Sequence, residues 1–364
     1  MQKSDSQAKY YRLMEYLKEE IIMGRIKPGE QIPSENMLAE KLTLSRHTVR
    51  KAISMLVNEG YLYTEHGRGT YCTDRSRKRN DSRNIGVITT YISEYIFPRV
   101  IQGIDNVLSG NGYSIVLKNT NNNIEKEAAC LDDVLQKNVE GLIIEPTKSA
   151  LFSDNLKYYE ALDNHQIPYI FIHGCYQQLE AKSYVLLDDA KGMYKVVQYL
   201  ASLGHKKIAG IFKADDVQGL ERHKGYAKAL SDAGLGYDPD NIIWFHTEDR
   251  DIKPMKEIRR FLDEKRGIDA IACYNDEIAF SVFKLLNDSG IKVPEDISVT
   301  GFDDSYFSSN CPVGITTVRH PKEKLGETAA ELLLQMIKDN DYQKNPVQKI
   351  IEPELIIKES CITR

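Results

Sequence analysis

The chain has 364 residues and a formal net charge of −5. Because single cores stop growing at roughly 250 to 300 residues, we expect more than one domain. Residues 1–83 contain 16 Lys and Arg against 11 Asp and Glu, which gives +5 there and −10 in the rest. The six cysteines form no C-x-x-C pair, the first residues lack an apolar signal core, and no apolar run reaches about 18 residues. These features argue against a zinc module, an exported protein and a membrane protein, and they predict a cytoplasmic protein with reduced thiols.

The basic N-terminal region predicts three helices followed by a hairpin. Apolar residues at helical spacing indicate an amphipathic first helix that Gly24 ends. Ser34 is placed to cap a second, short helix, and Ser45 to cap a third that stops at Gly60. The following "YLYTEHGRGTYCT" has two short runs rich in Tyr and Thr around "HGRG", which is a hairpin signal.

Basic side chains lie on the outward face of the third helix. A helix fits the major groove of DNA, and an arginine can bind a guanine edge through two hydrogen bonds. In the hairpin, Gly67 and Gly69 would allow close approach to a narrow groove that Arg68 enters. A solvated basic face is the alternative for any single residue, whereas the joint arrangement predicts a winged helix-turn-helix.

The stretch "PGEQIPSENMLAEKLTLSRHTVRKAISMLVNEGYLYTEHGRGTYC" resembles the DNA-binding domain of the GntR family of bacterial regulators. The shared pattern is P-S-E, L-A, S-R-x-T-V-R and a G-x-G-T wing, and it covers roughly the first seventy residues. The resemblance implies a set of DNA-binding residues: Ser34, Arg46, His47, Thr48, Arg50, Gly67 and Arg68.

Apolar strands and amphipathic helices alternate in the remainder of the chain. The charged "TDRSRKRNDSRN" has no large apolar residue and predicts a linker. Buried strands joined by helices are typical of doubly wound α/β folds, and the length suggests two lobes. The expected domains are a winged helix-turn-helix over 1–72, a linker over 73–84 and a two-lobed sensor over 85–364.

Polar and aromatic residues follow several of the predicted strands, at the edge where doubly wound sheets bind ligands. The candidates for effector binding are Tyr95, Phe97, Glu145, His173, Arg222, Asn275, Asp276 and Asp303. Such groups suit a polyhydroxylated neutral ligand. For single residues the alternatives are a helix cap at Asn275 or Asp276, a structural histidine at His173 and a surface ion pair at Arg222.

"LLDDAKGMYKVVQYLASLGHKKIAGI", "ERHKGYAKALSDAGL" and "CYNDEIAFSVFKLLNDSGIKVPEDISVTGFDDS" resemble landmarks of the effector-binding domain of the LacI family. That resemblance implies a fold similar to periplasmic sugar-binding proteins, with sugar contacts from Arg222 and Asp276. The pairing of this sensor with a GntR-type reader resembles the arabinose-responsive repressors of Gram-positive bacteria. This resemblance implies operator DNA as a partner, a homodimer, L-arabinose as the effector, and no cofactor or metal.

The residues alone leave other functions open. The same architecture suits another pentose, a phosphorylated sugar or a purine. A sugar-binding transport protein shares the two-lobed fold, but the N-terminal DNA-binding pattern disfavours it. A sugar-processing enzyme is disfavoured because no Rossmann, P-loop or nucleophile-elbow motif is present, so no catalytic residue is expected. For a homodimer, "FPRVIQGIDNVLSG" and "PKEKLGETAAELLLQMIKD" are candidate surfaces, although both suit a core equally well.

Overall fold

The computed structural model describes residues 2–74, 82–93, 95–339 and 341–364, with side chains from Lys9 onward. The helices, in chain order, are α1 (Gln2–Ile22), α2 (Glu35–Leu42), α3 (Arg46–Asn58), α4 (Phe97–Gly110), α5 (Ile124–Gln136), α6 (Leu156–Asn164), α7 (Asp189–Ser202), α8 (Val217–Asp232), α9 (Lys253–Asp263), α10 (Asp276–Asp288), α11 (Tyr306–Asn310) and α12 (Lys322–Lys338). The strands are β1 (Leu62–Glu65), β2 (Gly69–Cys72), β3 (Asn84–Thr89), β4 (Ser114–Asn119), β5 (Gly141–Ile144), β6 (Tyr169–Ile172), β7 (Tyr184–Leu187), β8 (Ile208–Lys213), β9 (Ile242–Phe245), β10 (Ala270–Cys273), β11 (Ser298–Thr300), β12 (Thr317–Arg319), β13 (Gln348–Ile351) and β14 (Glu354–Ile356).

The N-terminal elements form the predicted winged helix-turn-helix. Apolar faces of α1 and α3 pack together, with Leu17 and Leu56 buried at their contact. Strands β1 and β2 pair antiparallel, with Glu65 opposite Gly69, so that the hairpin turn falls on residues 66–68. This arrangement confirms the fold predicted from the basic region.

Lobe 1 is built on a sheet of parallel strands in the order β13-β7-β6-β5-β3-β4. Strands β5 and β6 are buried at every residue, which explains their continuous apolar sequences. Strand β13 comes from the far end of the chain and completes the sheet beside β7. The predicted doubly wound class is therefore confirmed, with an edge strand that the sequence patterns did not indicate.

Lobe 2 has a smaller parallel sheet in the order β11-β10-β8-β9, packed between helices that include α8 and α10. Strands β12 and β14 form a separate antiparallel pair. The chain passes between the lobes after β7, after β12 and after β13. These crossings join the lobes along one side and leave a cleft at the carboxyl ends of the strands.

The two helices considered as dimer surfaces, α4 and α12, pack against each other in lobe 1. Gly103 and Gly326 lie at the crossing, where a Cβ on either would come within 2.2 Å of a backbone oxygen of the facing helix. Arg99 and Glu323 add a paired contact, with the two N–O distances at 2.8 Å. The apolar faces of these helices therefore form a core layer.

Much of the predicted linker, residues 75–81, lies outside the described residues, and β3 already begins at Asn84. In the described parts of the chain, no helix is both long and apolar enough to cross a membrane.

Candidate functional site

The predicted DNA-reading face is the exposed side of α3, which we call the reading helix. Arg46 and His47 are exposed in its first turn. Arg50 is also exposed, and its guanidinium forms an ion pair with Glu35 of α2 at 2.9 Å. This pair links the two helices on the surface that would meet a phosphate backbone.

One of the candidate DNA-binding residues, Ser34, caps a helix in this structure, and another, Thr48, contacts a helix cap. The hydroxyl of Ser34 accepts a hydrogen bond from the backbone N–H of Met37 at 3.3 Å and caps α2. Thr48 is 8% exposed, and its hydroxyl lies 2.8 Å from that of Ser45, the cap of α3. Thr48 therefore supports the start of the reading helix and contributes little to the exposed face.

The hairpin tip is held against the turn that precedes α2. The side-chain amide of Gln31 donates to the carbonyl of Arg68 at 2.8 Å. A Cβ on Gly69 would come within 2.2 Å of the Gln31 side-chain amide, and Gly67 has a φ of 73°, so both positions favour glycine. The Arg68 side chain remains 78% exposed beside Glu65. The tip thus presents one arginine from a fixed backbone.

A cavity of about 370 Å³ lies between the two lobes. Six of the eight candidate effector-binding residues line it: Tyr95, Phe97, Glu145, Arg222, Asn275 and Asp303. They come from both lobes, as expected for groups at the carboxyl ends of two facing sheets. The cavity is within the ordinary size range of small-molecule sites.

Arg222 is buried at the wall of this cavity. Its Nε donates to Asp189 Oδ1 at 2.8 Å, its Nη2 to Asp303 Oδ1 at 3.2 Å and its Nη1 to the carbonyl of Tyr274 at 2.6 Å. Burial by itself would lower the pKa of Arg222, but the carboxylates of Asp303 and Asp189 outweigh it and raise the pKa. The interpretation of Arg222 as a surface ion pair is therefore wrong.

Tyr95 reaches across the cleft from lobe 1. Its hydroxyl lies 2.7 Å from Asp303 Oδ2 and 3.0 Å from the carbonyl of Phe302, and it accepts from the backbone N–H of Asp276 at 3.2 Å. Its φ of 59° is in the left-handed region, an uncommon conformation for tyrosine. Asp303 is thus hydrogen-bonded by groups from both lobes.

The remaining two candidates, Asp276 and His173, are buried just behind the cavity wall and do not line it. The carboxylate of Asp276 accepts hydrogen bonds at 2.6 Å from both the Ser305 backbone N–H and the Thr317 hydroxyl. His173 lies 3.1 Å from Glu145. The hydrogen bonds of Asp276 and the contact of His173 with Glu145 all have a structural reason, because buried polar groups need partners.

Other cavity residues were absent from the sequence prediction. Lys213, Asp216 and His320 line the cavity, and the first two lie at the carboxyl end of β8. Lys213 is paired with Asp216 at 3.0 Å. A search for polar residues at the end of the strand in "IAGIFKADD" would have found this pair. His320, in contrast, follows a strand that was not predicted. Within the described parts of the chain, no cluster of three or more His, Cys, Asp or Glu side chains could hold a metal ion.

Two family models match the chain. The model described as bacterial regulatory proteins, gntR family, matches residues 9–72, which contain the reading helix and the wing. The model described as a periplasmic binding protein-like domain matches residues 197–361, which contain most of lobe 2.

Similar proteins cover almost the whole chain. A protein of Halalkalibacterium halodurans named arabinose metabolism transcriptional repressor is 41% identical over 363 residues, covering 97% of this chain and 96% of its own. One of the same name from Geobacillus stearothermophilus is 40% identical and covers 97% of both chains. The solved complex of the transcriptional regulator CelR with cellobiose has a TM-score of 0.64 at 25% identity, covering 90% of this chain and 100% of its own. The transcription regulator CcpA of Lactococcus lactis has a TM-score of 0.67 at 26% identity, covering 76% and 98%.

The two family models and the two relatives of about 40% identity together cover the reading helix, the wing and the two-lobed fold with its cavity. The chain belongs to the family of sugar-responsive transcriptional repressors that join a GntR-type DNA-binding domain to a LacI-type effector domain.

Proposed function

We propose that this repressor binds operator DNA in the cytoplasm as a homodimer and releases it when L-arabinose occupies the cavity between the lobes. The observation that carries the proposal is the buried Arg222–Asp303 pair at the cavity wall. The names of the two relatives with about 40% identity support the choice of sugar. For release, the sugar must bind the form with low DNA affinity better than the form with high DNA affinity.

The cavity suits a polyol on chemical grounds. Guanidinium and carboxylate groups such as Arg222 and Asp303 can each pair with neighbouring sugar hydroxyls. Aromatic side chains from both lobes, among them Phe97 and Tyr274, can cover the apolar face of a sugar ring. His320 adds a buried ring nitrogen, Nδ1, that has no hydrogen-bond partner among the described residues.

The charges around the cavity argue against a phosphorylated sugar. Three basic side chains line it: Lys213, Arg222 and Arg250. Four acidic side chains line it as well: Glu145, Asp216, Glu277 and Asp303. An anion would therefore meet a lining with a net charge of −1 and no basic cluster committed to it. A neutral sugar carries no such penalty.

A planar heterocycle such as a purine is the second candidate. Six tyrosine and phenylalanine side chains line the cavity and could stack on a flat ring: Tyr91, Tyr95, Phe97, Phe245, Tyr274 and Phe307. The abundance of carboxylates still favours hydroxyl donors, which is why we rank the sugar first.

Calorimetric titration with L-arabinose tests the proposal, with D-xylose, D-galactose and hypoxanthine as controls. We expect saturable binding of L-arabinose and, at saturation, loss of the protein from operator DNA. Binding of hypoxanthine alone would replace the sugar by the second candidate. A folded protein that binds L-arabinose yet stays on the operator would refute release.

A further inference from the structure

The DNA-binding domain packs on lobe 1 through the end of α1. The Nε2 of His165 lies 2.7 Å from the carbonyl oxygen of Ile22, and because a carbonyl only accepts, Nε2 carries the proton. A Cβ on Gly24, just after α1, would come within 2.8 Å of Asn164 Cβ. The contact is therefore close enough that one added methyl group disturbs it.

An apolar contact surrounds this hydrogen bond. Ile21, Ile22 and Tyr61 of the DNA-binding domain share a small cavity with Leu135 and Ile167 of lobe 1. Buried residues of both units belong to one continuous hydrophobic cluster. We call the lobe 1 side the docking face; it is formed by the ends of α5 and α6 and the residues after them: Leu135, Lys137, Asn138, Asn164, His165 and Ile167.

Helix α5 runs from this docking face to the cleft between the lobes. Its 13 residues span about 20 Å. At its N-terminal end Asn123 caps the helix, and the neighbouring Asn122 donates to Thr247 of lobe 2 at 2.6 Å. One end of α5 thus contacts lobe 2, and the other end contacts the DNA-binding domain.

A buried acid attaches α5 to a second contact between the lobes. Glu127 of α5 accepts from the backbone N–H of Thr147 at 3.2 Å and from the Tyr176 hydroxyl at 2.7 Å. The next two residues after Thr147 reach lobe 2: Lys148 pairs with Glu248, and the Ser149 hydroxyl accepts from the Val217 N–H at 2.9 Å. Glu127 is fully buried, so the helix and this loop are expected to move together.

We propose that the docking face binds the DNA-binding domain of the same chain when the lobes are closed, and that α5 carries the closure from the cleft to this face. Docking holds the two reading helices of a dimer in an arrangement that does not match paired half-sites, and undocking allows them to adopt the spacing of the operator. This inference rests on the proposed function, since it names the step between sugar binding and release. The closed, docked form is the one that the sugar must favour.

The test compares two glycines of the DNA-binding domain that have the same backbone conformation. Gly24 and Gly60 have φ values of 69° and 77° and follow α1 and α3. A Cβ on Gly24 meets Asn164, whereas a Cβ on Gly60 meets nothing within 4 Å. Gly24→Ala and Gly60→Ala therefore carry the same backbone strain, and only the first obstructs docking.

For each variant we would measure L-arabinose affinity and the ratio of operator affinities without and with saturating sugar. We expect Gly24→Ala to lose most of the ratio, because it stays on the operator. Its L-arabinose affinity without DNA should fall by about the same factor, because the coupling between sugar binding and operator binding is reciprocal. Gly60→Ala should keep the wild-type ratio. The double variant Gly24→Ala with Asn164→Gly should recover the wild-type ratio. The variant His165→Ala, which adds no backbone strain, should lose part of the ratio.

Equal ratios for Gly24→Ala and Gly60→Ala would overturn the inference. Amide hydrogen exchange tests docking without DNA: at saturating L-arabinose, residues 21–24 and 164–167 should exchange faster in Gly24→Ala than in Gly60→Ala, and equal rates would also overturn the inference. A wild type that is not released by L-arabinose would instead refute the proposed function, so the two failures are distinguishable.

Discussion

Arg222 and Asp189 form a buried ion pair at the point where the chain passes from lobe 1 into lobe 2, with Nε and Oδ1 2.8 Å apart. The guanidinium lies at the cavity wall, where its Nη2 also donates to Asp303 Oδ1. The group that we propose to bind the sugar is thereby attached to the crossing between the lobes. Loss of one partner of such a pair leaves a buried charge without compensation.

We predict that Arg222→Lys weakens L-arabinose binding at least about tenfold, equivalent to about 1.4 kcal/mol, because a lysine lacks the planar fork of separate nitrogens with which Arg222 contacts two carboxylates and a carbonyl. Operator binding without sugar should persist. Calorimetry measures the L-arabinose affinity, and fluorescence anisotropy measures the operator affinity. Arg319→Lys, at an exposed ion pair with Glu354, is the control and should change neither.

Arg46→Ala should weaken specific operator binding by about 1–3 kcal/mol if Arg46 contacts a base edge. Its exposure predicts little change in thermal stability. Sugar binding should stay at the wild-type level. Arg12→Ala, on the exposed side of α1, provides a control of equal charge change. An operator affinity that falls equally in both variants would mean that Arg46 acts only through overall charge.

The position of Asp276 behind the cavity wall predicts different results for two substitutions. Asp276→Ala leaves the Ser305 N–H and the Thr317 hydroxyl without their acceptor and should cost about 1–3 kcal/mol for each orphaned group. Asp276→Asn can still accept from Ser305 and donate to Thr317, and we expect nearly wild-type stability and sugar affinity. Thermal unfolding and calorimetry decide between this role and direct sugar contact. Strong loss of sugar binding in a stable Asp276→Asn protein would establish the contact.

His320 should make stability depend on pH. Burial, aided by the neighbouring His173, Lys322 and Arg222, holds the pKa of His320 well below its usual 6.5. The unfolded chain therefore takes up a proton near pH 6.5 while the folded chain does not, so this contribution to stability decreases as the pH falls below 6.5.

The measurement is the difference in melting temperature between the wild type and His320→Gln from pH 7 to pH 5. We expect the wild type to lose stability relative to the variant over this range, since glutamine takes up no proton. A difference that is constant with pH would contradict the assignment.

The sequence predicted elements best where one local signal decides the structure. Ser34 and Ser45 cap the helices that they were expected to cap, because the cap needs only residues up to three positions away. Thr48 also takes part in a cap, because its hydroxyl contacts that of Ser45. The DNA contact that the family pattern implies for Thr48 stays a prediction.

The missed features depend on distant parts of the chain. Strand β13 is exposed at three of its four residues, so no apolar alternation marks it, and its pairing with β7 spans more than 160 residues. The partner of Arg222 was likewise unrecognised, because Asp189 becomes its neighbour only through the turn into lobe 2. Burial of an arginine cannot be inferred until its carboxylates are located.

Strand β13 also determines when each part of the protein can finish folding during synthesis. The winged helix-turn-helix is complete once residues up to Cys72 have left the ribosome. Lobe 1 lacks both its edge strand and the α12 layer until about residue 351 has emerged. Because domains generally fold as the nascent chain appears, the DNA-binding domain can fold while the sensor is still being made, and lobe 1 can form only after β13 has emerged.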